Sequence, residues 1–319
     1  LLAGLLWWSA VSVQALPRWY APAVLRPGAV SEFYGFDNAP VPAFWVEVTR
    51  DGADRAFKRA RGFAVDRPLA EFGPPRAAWK WSAALVALDA LEAPGPVLVR
   101  FLAADRSVLF QSSAVVARRD FPVETIALDA AMSELRQQPN ARKDREAAVI
   151  WSVYDRFDPG FVWSGGHFAL PVAPVFPLSA HFGDTRDYLY SDGTNARDYH
   201  RGTDFAVPVG TLVKAAAAGR VVLAADRLLT GTTVVLEHGP GVYSVYFHLS
   251  RAVVKVGRQV AQGDVIAASG ATGLVTGPHL HWEIRVGGVP VDPLELVGAG
   301  LLDTGAVSKI ISSFERPIH

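Results

Sequence analysis

This sequence predicts a mostly β protein with two domains and a helical connector between them. Three observations carry that expectation. The chain has 319 residues, more than one typical core accommodates. From residue 21 to 118, short apolar runs alternate with turn residues, the texture of a β-sandwich-like domain. From residue 161 to 300 the strand pattern returns, now punctuated by glycine, as a compact antiparallel β domain.

The elements follow in chain order. Leu1 to Val13 is apolar but short for a bilayer span, which needs roughly 20 apolar residues. Val13-Gln14-Ala15 is a small-x-small arrangement followed by Leu16-Pro17, so residues 1–15 read as a signal-peptide remnant cleaved after Ala15. The basic start of such a leader and an initiator Met are missing, so the sequence is expected to be truncated there. Left uncleaved, the segment would be a short membrane tether. Either way the rest of the chain is expected to be exported, to the periplasm, the cell envelope or the exterior.

Within 21–118, one apolar run spans Ala43 to Thr49 before Asp51-Gly52, and another spans Val97 to Leu102 after Pro94-Gly95-Pro96. Ala83 to Leu91 has helix propensity, yet its β surroundings place it as a strand leading into the turn from Glu92 to Gly95. Residues 119–160 form the connector. Met132 to Gln138 reads as helical, and Asn140 caps a clearer helix from Ala141 to about Phe157. Val149, Ile150, Val153 and Tyr154 recur there on a helical period. Asp158-Pro159-Gly160 ends it.

Strands are then expected at Thr211–Val213, Gly219–Ala224, Thr232–Glu237, Tyr243–Phe247, Val265–Ala268 and His281–Val286. Residues 301–319 read as a C-terminal tail.

Composition narrows the function classes. Half of the residues are hydrophobic, which argues against disorder. Acidic and basic residues number 31 each, so the total charge carries no footprint of a nucleic-acid binder. The chain has no cysteine. Disulfides, cysteine-ligated zinc, a thiol nucleophile and a lipid-modified N-terminal cysteine are therefore excluded.

Chemistry concentrates in three stretches: His200-Arg201-Gly202-Thr203-Asp204, Tyr246-Phe247-His248 and Gly277-Pro278-His279-Leu280-His281. His279 and His281 are two apart on a strand and so share a face. His200 and Asp204 are expected where a loop runs into a strand, with Gly202 permitting close backbone approach. Two imidazoles and a carboxylate make an N2O set suited to zinc, which needs only three protein ligands in a catalytic site. His248, read as the last residue of an aromatic strand, is placed to move a proton or stabilise an oxyanion. A single histidine on a strand is more often structural, so the joint pattern carries the argument. His238 and His181 are given structural roles and His319 a terminal one; His167 stays outside the pattern.

At these residues the chain resembles the lysostaphin-type (LytM-like) zinc metallopeptidases, the bacterial cell-wall endopeptidases. The resemblance runs from about Phe168 to Leu296 and includes Ser179 to Gly183, His200 to Thr211, Glu237-His238-Gly239, Tyr246 to Ser250, Thr272-Gly273, Gly277 to Glu283 and Val291-Asp292-Pro293. It implies His200, Asp204 and His281 as ligands of one zinc ion, His248 and His279 as catalytic histidines, and peptidoglycan as substrate. Tyr243, Tyr246 and Trp282 are either the lining of a small groove or strand packing. Residues 186–199 exceed a minimal family loop and are expected to line or cover the groove.

Two further readings compete with a hydrolase. One is a non-catalytic envelope regulator that activates another cell-wall hydrolase; the complete ligand set weakens it. The other is a carbohydrate- or peptide-binding module in which residues 21–118 do the binding.

Overall fold

A computed structural model describes residues 18–37, 41, 43–53, 55–65, 79–159, 167–298, 300–302 and 304–314. The signal-peptide and tether expectations for residues 1–15, and His319, lie outside the described residues. Among the described residues no helix is long and apolar enough to cross a membrane.

The N-terminal part is two facing sheets. One orders its strands Arg18–Tyr20, Val30–Asp37, Lys80–Ala87, Phe63–Ala64; the other Val24–Leu25, Val108–Val116, Gly95–Ala103, Phe44–Arg50, Ala56–Arg61. Alternation divides the side chains between two cores. Phe33, Ala84 and Val86 join Phe44, Val46, Val99 and Phe101 inside the sandwich. Tyr34, Phe36, Trp81, Ala83 and Leu85 face the other way and pack into the core that the C-terminal domain shares. Lys80–Ala87 is thus buried on both faces. That explains why its apolar run does not alternate and why propensity alone suggested a helix.

The connector holds more than helices. Helix α1 is Ala130–Gln137, capped by Asp129, and helix α2 is Ala141–Tyr154. The Asn140 side chain accepts from the Arg142 and Lys143 backbone N–H groups, the N-cap its position demands. Rather than bridging open space, α2 lays Ile150, Val153 and Tyr154 onto Val222, Val235, Tyr243 and Val245 of the C-terminal sheet. Ahead of α1, Val123–Ala127 is a strand. It pairs in parallel with Thr185–Leu189, which forms a hairpin with Asn195–Tyr199. The long 186–199 stretch is therefore a β-hairpin widened to three strands by the connector.

The C-terminal sheet runs Leu178–Ala180, Thr203–Phe205, Leu280–Val286, Val242–Ala252, Gly231–Gly239, Gly219–Arg227, Gln259–Val260. Leu212–Lys214 pairs with Val265–Ser269, which joins the same sheet by pairing with Val242–Ala252. The strand expected to stop at Phe247–His248 continues to Ala252. The described part of the expected C-terminal tail is ordered. Thr304–Ser313 is a helix, α3, whose Val307 and Ile311 are fully buried in the shared core. It lies against the first sheet: Phe314 meets the Phe36 ring edge-on at 5.8 Å, and Arg18 donates to the Phe314 carbonyl at 3.0 Å.

Candidate metal centre

The central strand Leu280–Val286 and its neighbours build the site. Asp204 stands directly across from His281 in the short strand Thr203–Phe205, and Phe247 faces His281 from the other side. His200 follows the hairpin. Its N–H donates to the Asp184 carbonyl and its own carbonyl accepts from Gly183 N, both at 2.8 Å. Between His200 and Asp204, Gly202 passes so close to the neighbouring strand that a Cβ would lie 2.4 Å from the Trp282 carbonyl oxygen and 2.9 Å from His281 Nε2. Only glycine fits there.

The structure brings His200, Asp204 and His281 together. His200 Nε2 lies 2.9 Å from His281 Nδ1 and 3.1 Å from Asp204 Oδ1, and His281 Nδ1 lies 2.8 Å from Asp204 Oδ1. A tetrahedral zinc with bonds of about 2.0–2.1 Å sets its ligand atoms roughly 3.3 Å apart. The three atoms are within a few tenths of an ångström of that triangle, and two nitrogens with one carboxylate oxygen suit the ion. All three residues are buried.

Neighbours that the sequence did not single out orient these side chains. His200 Nδ1–H donates to the His181 carbonyl at 2.9 Å, which leaves Nε2 to face the cluster. His281 Nε2–H donates to Glu283 Oε1 at 3.0 Å, which turns Nδ1 inward. The Phe247 ring stacks on the His281 imidazole at 5.2 Å with planes 9° apart. His181 matters through its backbone, since its side chain is largely exposed. A carbonyl contact leaves no mark in a sequence. Glu283 is more legible: it falls on the same strand face as His279 and His281, two residues further on.

His248 and His279 lie side by side, ring centroids 4.7 Å apart. His248 Nδ1–H donates to the Thr272 carbonyl and His279 Nδ1–H to the Gly277 carbonyl, each at 2.9 Å. Both rings thus keep Nε2 uncommitted, and His279 Nε2 sits 4.0 Å from Asp204 Oδ1. His248 does not end its strand. It sits at an irregularity where the pairing with Gly231–Gly239 shifts register, with φ at +58°. The left-handed backbone swings its side chain out of the alternation.

Charge in the metal-free site is unevenly shared. Burial opposes ionisation of Asp204, but His281 and His200 outweigh it and hold the carboxyl well below the usual range. Burial also opposes a charge on His281, yet Asp204 and Glu283 push the imidazole up to about 9. Burial depresses His200, and it takes His248 down to about 4 despite the Thr272 carbonyl. The site therefore holds one imidazolium, His281, between two carboxylates.

The structure decides between the two readings of Tyr243, Tyr246 and Trp282: all three are fully buried strand packing and line no groove. The Tyr246 hydroxyl accepts from Ala216 N and meets Ser244 Oγ, both at 2.9 Å. The structural role expected for His238 is played from a strand rather than a turn. The residue lies within strand Gly231–Gly239, donating from Nδ1 to the Ala218 carbonyl and meeting Ser244 Oγ through Nε2.

Comparison with known proteins agrees with this architecture. Residues 198–293 match peptidase family M23. Peptidoglycan DD-endopeptidase ShyA of Vibrio cholerae is 46% identical over 125 residues, which cover 39% of this chain and 28% of that protein. ShyB of the same organism is 42% identical over 96 residues, covering 30% of this chain and 22% of that protein. The chain thus spans only 28% and 22% of the length of these two curated relatives. A crystal structure of a Pseudomonas aeruginosa protein assigned to peptidase M23 superposes with a TM-score of 0.57 at 29% identity. It covers 86% of this chain and 94% of that one, well beyond the 198–293 segment. By sequence and by fold, residues 198–293 of this chain form a peptidase family M23 domain.

Proposed function

We propose that this chain is a zinc-dependent endopeptidase hydrolysing peptide cross-links of bacterial peptidoglycan in the cell envelope. His200, Asp204 and His281 hold the metal, and His248 and His279 are the catalytic histidines. The observation that carries the reading is the convergence of three donor atoms within 3.1 Å of one another, with two further histidines beside them. Relatives named as peptidoglycan DD-endopeptidases support the substrate class.

Zinc bound there supplies a Lewis acid and lowers the pKa of water. The chain's own residues do the rest. His248, neutral at pH 7 because burial disfavours its charged form, takes the proton of the attacking water at Nε2. His279 Nε2 hydrogen-bonds the substrate oxygen as charge develops on it. The amide C–N bond breaks, and the proton held by His248 passes to the leaving amine. The backbone carbonyls of Thr272 and Gly277 keep both rings in the tautomer this needs.

Incubating purified cross-linked muropeptides with zinc-loaded protein, and identifying products by mass spectrometry, tests activity and bond choice together. Asp204→Ala and His281→Ala should lose zinc by elemental analysis. His248→Ala and His279→Ala should keep it and lose rate by roughly 100-fold or more. Zinc and cleavage both surviving in Asp204→Ala and His281→Ala would remove the proposal.

A further inference from the structure

Behind His281, away from the proposed metal, lies a short buried chain of polar groups. His281 Nε2–H donates to Glu283 Oε1 at 3.0 Å, and Arg285 Nε donates to Glu283 Oε2 at 2.6 Å. Glu283 and Arg285 are 2% and 7% exposed, so water does not share in these contacts. Arg285 is held on two further sides. A terminal guanidinium nitrogen donates to the Gly288 carbonyl at 2.9 Å, and the guanidinium lies over the Tyr154 ring of α2, 4.9 Å from its centre.

Glu283 therefore sits between two groups that can only give protons in this arrangement. Arginine has donors and no acceptor. A neutral His281 has one donor nitrogen and one acceptor nitrogen, and which is which depends on its neighbour. A carboxylate can serve both sides because each oxygen accepts. An amide cannot, because it has one oxygen and one NH2.

We propose that Glu283 is a positioning residue that, held by Arg285, fixes His281 in the tautomer that turns the Nδ1 lone pair toward His200 and Asp204. This rests on the metal-site reading above. Its sharpest consequence concerns Glu283→Gln, an isosteric change. The charged guanidinium claims the single amide oxygen, so the NH2 must face His281 Nε2. That nitrogen then has to accept, the proton moves to Nδ1, and the lone pair is lost to the metal. Removing Arg285 as well frees the amide oxygen to turn back to His281.

The experiment compares zinc affinity, by chelator competition, in the wild type, Glu283→Gln, Arg285→Met and the double variant. Glu283→Gln should bind zinc about 10–100-fold more weakly. Adding Arg285→Met to it should recover most of that loss, and Arg285→Met alone should cost less than Glu283→Gln. A second readout needs no variant. The imidazole 15N spectrum of zinc-loaded wild-type protein should show a slowly exchanging proton on His281 Nε2.

Wild-type affinity in Glu283→Gln, a double variant no better than the single one, or a His281 proton on Nδ1 would each overturn the proposal. A wild-type protein that binds no zinc would instead remove the metal-site reading on which it rests.

Discussion

Raising the pH from 7 to 9 should tighten zinc binding roughly fiftyfold, and the charge held on His281 sets that figure. His281 is held as an imidazolium with its Nδ1 side 2.8 Å from Asp204 Oδ1 and its Nε2 side 3.0 Å from Glu283 Oε1. Although burial works against the charge, the two carboxylates raise its pKa to about 9. Zinc needs neutral imidazole and must displace that proton. Since pH 7 is about 2 pH units below that pKa, displacing the proton weakens the apparent affinity roughly 100-fold relative to the deprotonated site; at pH 9 half of the sites still carry the proton, which leaves a gain of roughly fiftyfold. The affinity should rise by roughly tenfold per pH unit at first, bend over near 9 and level off above it. It should fall more steeply once the pH drops low enough to protonate His200, whose pKa is lowered by burial.

Chelator competition at constant ionic strength measures the slope. Calorimetry in two buffers of different ionisation enthalpy should count close to one proton released per zinc at pH 7. An affinity that stays flat from pH 7 to 9, or binding without proton release, would refute the reasoning. The same shift has a signed effect on folding. The raised pKa stabilises the metal-free protein fully below about 6.5, and that stabilisation, about 3 kcal/mol, is lost as pH rises through about 9.

Three further outcomes follow from geometry. His248 has a left-handed backbone at φ +58°, so His248→Gly should be more stable than His248→Ala by about 1 kcal/mol in urea titrations; equal stability would mean that the backbone relaxes. Gly202→Ala drives a Cβ to 2.4 Å from the Trp282 carbonyl and should cost roughly 1–3 kcal/mol together with zinc affinity. Unchanged unfolding and unchanged zinc binding would contradict the close approach. Ile311→Ala, at a fully buried position of α3, should cost about 2–5 kcal/mol, whereas an effect under about 0.5 kcal/mol is what a loose surface tail would give.

Much of the site was legible because its chemistry is local. His279 and His281 share a face through the period of two, and Gly202 marks the close approach that sets Asp204 across from His281. What escaped was non-local or hidden by burial. The Val123–Ala127 strand is mostly exposed and finds its partner some sixty residues downstream, so no short window reveals it. Leu280–Val286 is buried throughout. Its polar face is therefore read from residue type alone, and Glu283 looks like any strand glutamate until Arg285 is seen beside it. Tyr243, Tyr246 and Trp282 leave groove lining and strand packing both open in the sequence, and burial on a central strand, with no groove to face, decides for packing. His248 reads as a strand end because one left-handed residue interrupts the alternation without ending the pairing.

The way α3 closes over the first sheet bears on how the protein is made. Tyr34, Phe36 and Trp81 are almost wholly sheltered in the finished molecule, but their cover comes from the C-terminal domain and α3. During synthesis an N-terminal half emerging first would present that aromatic face bare until the last helix arrives. A nascent sandwich with this face bare would be prone to aggregate, and C-terminal truncations should aggregate in proportion to how much of it they leave open.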